Sequence, residues 1–210
     1  MARYRGPSCR LCRREGAKLF LKGERCLTSK CALDRRAYFP GQHGPNARRK
    51  KETEYGIQLR EKQKARRIFG LLEKQFRNTF ETAEKKDGVT GLVFLQMLES
   101  RLDNVVFRLG MAVSRQQSRQ FVGHNHVTVN GKKVNLPSYL VKKGDVIEVT
   151  QKSRKKKFLE GVLDRRASLA LVSWLSWGEG ELKGSVTDDP KPEDFGHPVN
   201  EQLIVEYYSK

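Results

Sequence analysis

The 210 residues carry 42 Lys and Arg against 24 Asp and Glu, a formal charge of +18, with 37% hydrophobic and 31% charged side chains. That length suits one large domain or two modest ones, but the apolar share is low for a self-contained globule, so part of the chain is expected to lie against a partner. The charge selects a polyanion, nucleic acid ahead of an acidic membrane, and no apolar run approaches the roughly 20 residues of a spanning helix. The cations are concentrated: 20 of them and only 6 acids fall in residues 1–67, whereas residues 151–210 hold 10 of each. MARYRGPSCRLC has no apolar stretch behind its arginines, so no secretory signal is expected and the cytosol is the expected compartment.

All four cysteines lie in CRLCRREGAKLFLKGERCLTSKC, spaced as Cys9-x2-Cys12, thirteen residues, then Cys26-x4-Cys31. Two close pairs of thiolates can close a tetrahedron around one structural zinc. Residues 18–21 are predicted as a short strand whose turn at Lys22-Gly23 brings the pairs together. Four sulfur ligands leave no open position, so such a metal would hold structure and not catalyse. An iron–sulfur cluster uses the same four thiolates, while two disulfides or four idle thiols need no metal. A segment this basic cannot build an apolar core, so a metal would fold it and leave Arg3, Arg10, Arg13 and Arg14 to meet phosphate.

The next stretch, YFPGQHGPNARRKK (38–51), reads as a loop from its two prolines and two glycines, and carries the basic block Arg48, Arg49, Lys50 and Lys51. Residues 53–68 read as a helix that stacks Arg60, Lys64 and Arg67 on one face, a repulsion that a polyanion would relieve. Residues 71–86 form an amphipathic helix with Leu72, Phe76, Phe80 and Ala83 as its core stripe and Glu73–Arg77 and Glu81–Lys85 as i,i+4 pairs. Thr90 caps a third helix that buries Val93, Phe94, Met97 and Leu98.

Beyond residue 100 the texture changes. A short helix runs from Asp103 to a stop at Gly110, and Ser114 with Gln117 makes a capping box for another that Gly123 ends. Residues 127–134 alternate around Asn130-Gly131, the pair a type I′ hairpin turn needs, and 146–149 supply a further strand. Arg115 and Arg119, one turn apart, are expected to join His124, His126, Lys132 and Lys133 in one basic ridge. Residues 153–171 read as a helix burying Phe158, Val162, Leu163 and Leu169. Lys155, Lys156 and Lys157 in its first turn oppose the helix dipole and so point to an external anion. From Trp174 strands and turns follow, then a Pro- and Asp-rich loop. Last comes PVNEQLIVEYYSK, either a strand or a short helix capped at Asn200. No nucleophile triad, phosphate loop, dinucleotide fingerprint or carboxylate pair stands out, which argues against an enzyme and against a small-molecule substrate.

The stretch SRLDNVVFRLGMAVSRQQSRQFVGHNHVTVNGKKVNLPSYLVKKGDVIEV (100–149) closely resembles the S-four RNA-binding module. MARYRGP, CRREG (12–16), PGQHG (40–44), LREKQKARRI (59–68), EKQFRN (73–78) and NEQLIVEYYSK (200–210) extend the likeness over nearly the whole chain. Together they resemble the bacterial small-subunit ribosomal S-four family in its cysteine-containing form; some members lack the cysteines. The resemblance implies a structural component of the small ribosomal subunit, a primary rRNA binder at a multi-helix junction that helps nucleate assembly and contributes to translational accuracy. Implied partners are small-subunit rRNA, neighbouring small-subunit proteins including S-five, and mRNA where it enters, with no membrane among them. In such a protein Ser114, Arg115, Arg119, His124, Asn130, Lys132 and Lys133 would face RNA. Arg48–Lys51 would line the mRNA path, and the C-terminal segment would pack beside a neighbouring protein. An RNA-modifying enzyme tethered by the same module, or another RNA-binding regulator, is the alternative; for the enzyme, residues 150–210 are too short to form a catalytic domain. The expected fold is α+β: a metal-binding arm (1–50), a helical domain (51–98, joined by 185–210), and an S-four module of helices on a small antiparallel sheet with its following helix and strands (99–184).

Overall fold

The computed structural model describes residues 3–46, 53–154, 159, 161–162, 170–178, 182–196 and 198–209. Arg48, Arg49, Lys50 and Lys51, the lysines 155–157, and Phe158, Leu163 and Leu169 therefore lie outside the described residues. The chain divides into two compact units, residues 1–94 with 197–210, and residues 95–196.

The first unit is helical. It holds α1 (Ser8–Glu15), α2 (Ala32–Arg35), α3 (Glu54–Ile68), α4 (Glu73–Glu84), the start of α5 (Thr90–Glu99) and the helix Glu201–Tyr208. The expected strand at 18–21 does not form. Phe20 sits at φ +50°, a left-handed conformation that interrupts any extended run, and the chain passes directly into a 3-10 helix at Gly23–Leu27. Cys9 and Cys12 ride instead on α1. Thr53 caps α3 by accepting from the Gly56 amide. The ambiguity of the last segment resolves as helix because the Asn200 carboxamide oxygen accepts from the amides of Gln202 and Leu203.

Phe76, Phe80 and Phe94 centre this unit. Phe94 meets the other two edge-on at 5.0 and 5.5 Å, and the Tyr208 ring lies 4.7 Å from Phe80. Of the expected helix-surface pairs, neither Glu73–Arg77 nor Glu81–Lys85 forms among the described residues; Arg77 pairs with Glu81 at 3.0 Å. Glu73 faces α3, where the Lys62 ammonium reaches it at 2.6 Å and the Tyr208 hydroxyl donates to it at 3.0 Å.

The second unit carries the end of α5, α6 (Leu102–Arg108), α7 (Arg115–Gly123), α8 (Gln151–Arg154) and a five-stranded antiparallel sheet. Its strands are β1 (Val127–Val129), β2 (Lys132–Lys133), β3 (Val146–Val149), β4 (Leu175–Trp177) and β5 (Lys183–Val186), in the order β2-β1-β3-β5-β4. Val105, Leu109, Phe121 and Val122 from the helices bury against Val127, Ile147 and Trp174. Ser114 Oγ accepts from the Gln117 amide, while the Gln117 side chain returns to the Val113 amide at 2.7 Å, one residue short of the expected reciprocal bond. Asn130 (φ +49°) and Gly131 (φ +77°) form the hairpin turn with both central residues left-handed, as type I′ requires.

Burial opposes ionisation of Glu73, but Lys62 and the Tyr208 hydroxyl outweigh it and hold the carboxyl below its ordinary value. A depressed folded-state pKa contributes stability that is present above the unfolded value and lost as pH falls through the folded one. Glu73→Gln should therefore lower the urea midpoint at neutral pH. The gap to the parent chain should close as pH drops below about 4.3, the ordinary glutamate value, in a series of pH-stepped urea titrations.

Candidate nucleic-acid interface

Two acids inside the second unit decide which of its cations can face outward. Asp103, 5% exposed, takes the Arg101 guanidinium in a two-pronged pair at 3.1 and 2.9 Å and Arg119 at 3.2 Å. Glu99, 1% exposed, takes Arg108 in the same way at 3.0 and 2.8 Å and accepts from Asn104 at 2.6 Å. Asn104 in turn accepts from Arg115 at 2.8 Å, and that guanidinium lies 4.6 Å over the Phe107 ring. Burial pushes the Arg115 pKa down to about 10, with Arg108 adding to the fall and Glu99 and Asp103 opposing it, so the group stays charged at neutral pH.

These contacts correct the expected ridge. Arg115 and Arg119 do share a face of α7, but that face packs on α6, where the buried Asp103 carboxylate takes Arg119 and Asn104 takes Arg115. Ser114 is buried as a cap. Asn130 is exposed, yet its carboxamide is spent holding the turn, donating to Asp145 at 2.8 Å and accepting from the Val146 amide at 2.9 Å. His124, Lys132 and Lys133 remain exposed as expected. Beside them runs a cleft between the hairpin and α8, lined by Lys133, Lys152 and Arg154 together with the polar groups of Asn125, His126 and Ser153. His126 Nδ1 and Ser153 Oγ are 2.9 Å apart across its floor. Lys152 and Arg154 had not been singled out from the sequence, although the run QKSRKKK carried the signal.

The first unit shows the same division. Arg60 and Arg67 on α3 both ion-pair with Glu15 of α1, Arg60 at 3.5 Å, and Lys64 pairs with Glu61 at 2.8 Å. Glu15 has a side chain only 2% exposed. Burial pushes its carboxyl up, against the pull of Arg67 and Arg60. The repulsion of the expected three-cation face is thus relieved within the unit, Arg60 and Arg67 by an acid some fifty residues earlier in the chain and Lys64 by Glu61 on its own helix. Arg3, Arg10 and Arg14 are exposed, whereas Arg13 donates to the carbonyls of Tyr38 and Phe39 at 3.0 and 3.1 Å.

All four thiols line one small cavity with Lys22 and Arg25; Cys12, Cys26 and Cys31 are buried, Cys9 is half-buried, and none is in a disulfide. Burial pushes the Cys12 thiol up, the Leu19 backbone opposes it, and the other three thiols raise it further. As the side chains stand, no three His, Cys, Asp or Glu among the described residues come together closely enough to hold a metal ion. Cys9 and Cys12 on α1, Cys26 in the 3-10 helix and Cys31 just before α2 thus border one cavity from three elements.

Helices over a small antiparallel sheet, with a basic cleft beside the hairpin, define a nucleic-acid-binding module, and residues 100–147 match the family model described as S4 domain. Residues 3–99 match the model described as Ribosomal protein S4/S9 N-terminal domain. Proteins called small ribosomal subunit protein uS4 from Halothermothrix orenii and Acetivibrio thermocellus are each 59% identical to this chain, and that from Thermus thermophilus 56%, over 210 residues and 100% of both sequences in every case. The chain belongs to the ribosomal protein uS4 family.

The burial pattern separates two kinds of cation. Arg119→Ala should cost stability on the order of 3 kcal/mol, the expense of removing one member of a buried ion-pair group. Lys132→Ala with Lys133→Ala should leave the unfolding free energy within about 0.5 kcal/mol and weaken RNA binding instead. Urea melts and filter binding on the same preparations check both halves.

Proposed function

We propose that this chain is a structural, non-enzymatic component of the small ribosomal subunit that binds its rRNA, helps nucleate subunit assembly and contributes to translational accuracy. The observation that carries the reading is the full-length identity of 56–59% to proteins called small ribosomal subunit protein uS4. It places the working protein on the ribosome, in the cytoplasm. In this reading Lys132, Lys133, Lys152, Arg154 and His124 meet rRNA phosphates from the second unit, and Arg3, Arg10 and Arg14 from the first. RNA met this way is read through shape, phosphate and 2′-hydroxyl groups more than through base edges. Arg48, Arg49, Lys50 and Lys51 are proposed to lie along the path by which mRNA enters. A neighbouring small-subunit protein, S-five, is proposed beside the helix Glu201–Tyr208, where Tyr55 (54% exposed) stacks at 5.7 Å on Tyr207 and Ile57 is 40% exposed.

A structural zinc bound by Cys9, Cys12, Cys26 and Cys31 belongs to the same proposal. The donor set fits: four thiols border one cavity, and soft thiolates select zinc or an iron–sulfur cluster over harder metals. When bound, the metal would supply a crosslink between α1 and the 26–31 segment. The chain's own part is to bring the four sulfurs to the border of one cavity and to shield three of them from water, and a bound metal would draw them closer together.

Two measurements test this. With six to ten phosphate contacts, affinity for a folded small-subunit rRNA fragment should fall roughly 10³- to 10⁵-fold between 50 and 200 mM salt; a flat dependence would leave the net charge a matter of solubility. Elemental analysis should find one zinc per chain in a colourless protein. Visible absorption with iron would replace zinc by a cluster, and metal-free protein with native stability would remove the metal from the account.

A further inference from the structure

Tyr38 and Phe39, 40% and 45% exposed, are consecutive residues at the surface of the first unit. Large aromatic side chains normally bury their area, so two exposed neighbours held in fixed positions call for a reason. Both are fixed from behind. Arg13 donates to the two backbone carbonyls, and its guanidinium lies 4.7 Å over the Tyr38 ring. Arg14 lies 5.4 Å over the Phe39 ring. The loop then folds back tightly: the Gly44 amide donates to the Gly41 carbonyl at 3.2 Å, and a Cβ at Gly44 would overlap the Phe39 carbonyl oxygen itself. Only glycine permits that closure, so YFPGQHG is a rigid support and not a slack linker. The surroundings are cationic. Arg10, Arg14, Arg35 and Arg36 are exposed, while Glu15 is engaged by Arg60 and Arg67 and Asp34 by Lys18 at 2.8 Å.

A ligand suited to this surface needs a flat π face for the rings and negative charge for the guanidiniums. A nucleotide with its base unpaired has both. We propose that Tyr38 and Phe39 form a stacking shelf for unpaired nucleobases of RNA, with Arg14 and its neighbouring guanidiniums taking the flanking phosphates. The proposal rests on the RNA-binding reading above and adds a class of target to it: a bulge, loop or single-stranded end as distinct from a helical backbone. Arg13 acts as a positioning residue, backing the Tyr38 ring and anchoring the loop, and leaves the stacking to the rings.

The test uses the full chain and three probes at one salt concentration: an adenylate octamer, an abasic octamer with the same number of phosphates, and a folded small-subunit rRNA fragment. The parent protein should bind the adenylate octamer on the order of tenfold more tightly than the abasic one, the scale of one stacked base. Tyr38→Ala with Phe39→Ala should bring that ratio close to one without changing affinity for the abasic octamer, while Tyr38→Trp with Phe39→Trp should keep it. Gly44→Ala, which leaves both rings in place, should also reduce the ratio by displacing their support. A ratio unchanged by the alanine pair, or equal losses on both octamers, overturns the shelf. Should the parent protein also fail to bind the folded fragment, the RNA-binding reading falls with it; binding of the fragment with ordinary salt dependence confines the failure to the shelf.

Discussion

Among the described residues, the buried carboxylates Glu15, Glu99 and Asp103 are each covered by more than one cation or hydrogen-bond donor, and the structure around them is arranged about those pairings. Glu15 sits beneath Arg60 and Arg67, Asp103 beneath Arg101 and Arg119, and Glu99 beneath Arg108 and Asn104, while the half-exposed Glu73 is held by Lys62, Arg66 and Tyr208. A chain with a net +18 must fold against its own repulsion. An acid placed under two cations offsets their mutual repulsion, although at Glu15 the cost of burying the carboxylate outweighs the pull of Arg67 and Arg60. The same geometry makes these sites sensitive: losing one member of a buried group leaves an uncompensated charge.

That allotment sorts the cations by task. Those nearest a buried acid are held inside, and those left over become the surface offered to a polyanion. At the hairpin the two tasks meet within a few residues. Asn130 locks the turn through Asp145 and Val146, and the rigidity so obtained presents Lys132 and Lys133 at a fixed place. The aromatic loop repeats the plan, since Arg13 is spent on backbone carbonyls so that Tyr38 and Phe39 stay outward. In both places a structural residue that looks like a binding residue by type determines where its neighbour points.

This explains what could be read from the sequence and what could not. The helices from residue 53 to 123 and the Asn130-Gly131 hairpin follow local rules of periodicity, caps and turn chemistry, and those rules act within a few residues. The strand expected at 18–21 failed because Leu19 and Leu21 alternate in the right pattern while Phe20 takes a left-handed conformation that no pattern signals. The setting of Arg115 and Arg119 was hidden for a different reason. Helical spacing showed that they share a face, but which partner lies across that face depends on Asp103 and Asn104, on another helix. Likewise nothing local marks Glu15 as the counter-charge for Arg60 and Arg67. The support under Tyr38 and Phe39 was equally hidden, because it depends on contacts with Arg13 and Gly44.

The claim that buried acids carry the fold while exposed cations strain against it has a direct test in the thermal stability of the RNA-free chain across sodium chloride concentration. Salt screens exposed charges beyond a Debye length of about 10 Å at 0.1 M and leaves buried pairs nearly untouched. Melting followed by far-ultraviolet circular dichroism should therefore show Tm rising by a few degrees, roughly, from 20 to 300 mM salt as surface repulsion is relieved. A Tm that falls over that range would mean that the pairings around Glu15, Glu99 and Asp103 are open to solvent and screened with the rest, and would contradict the account.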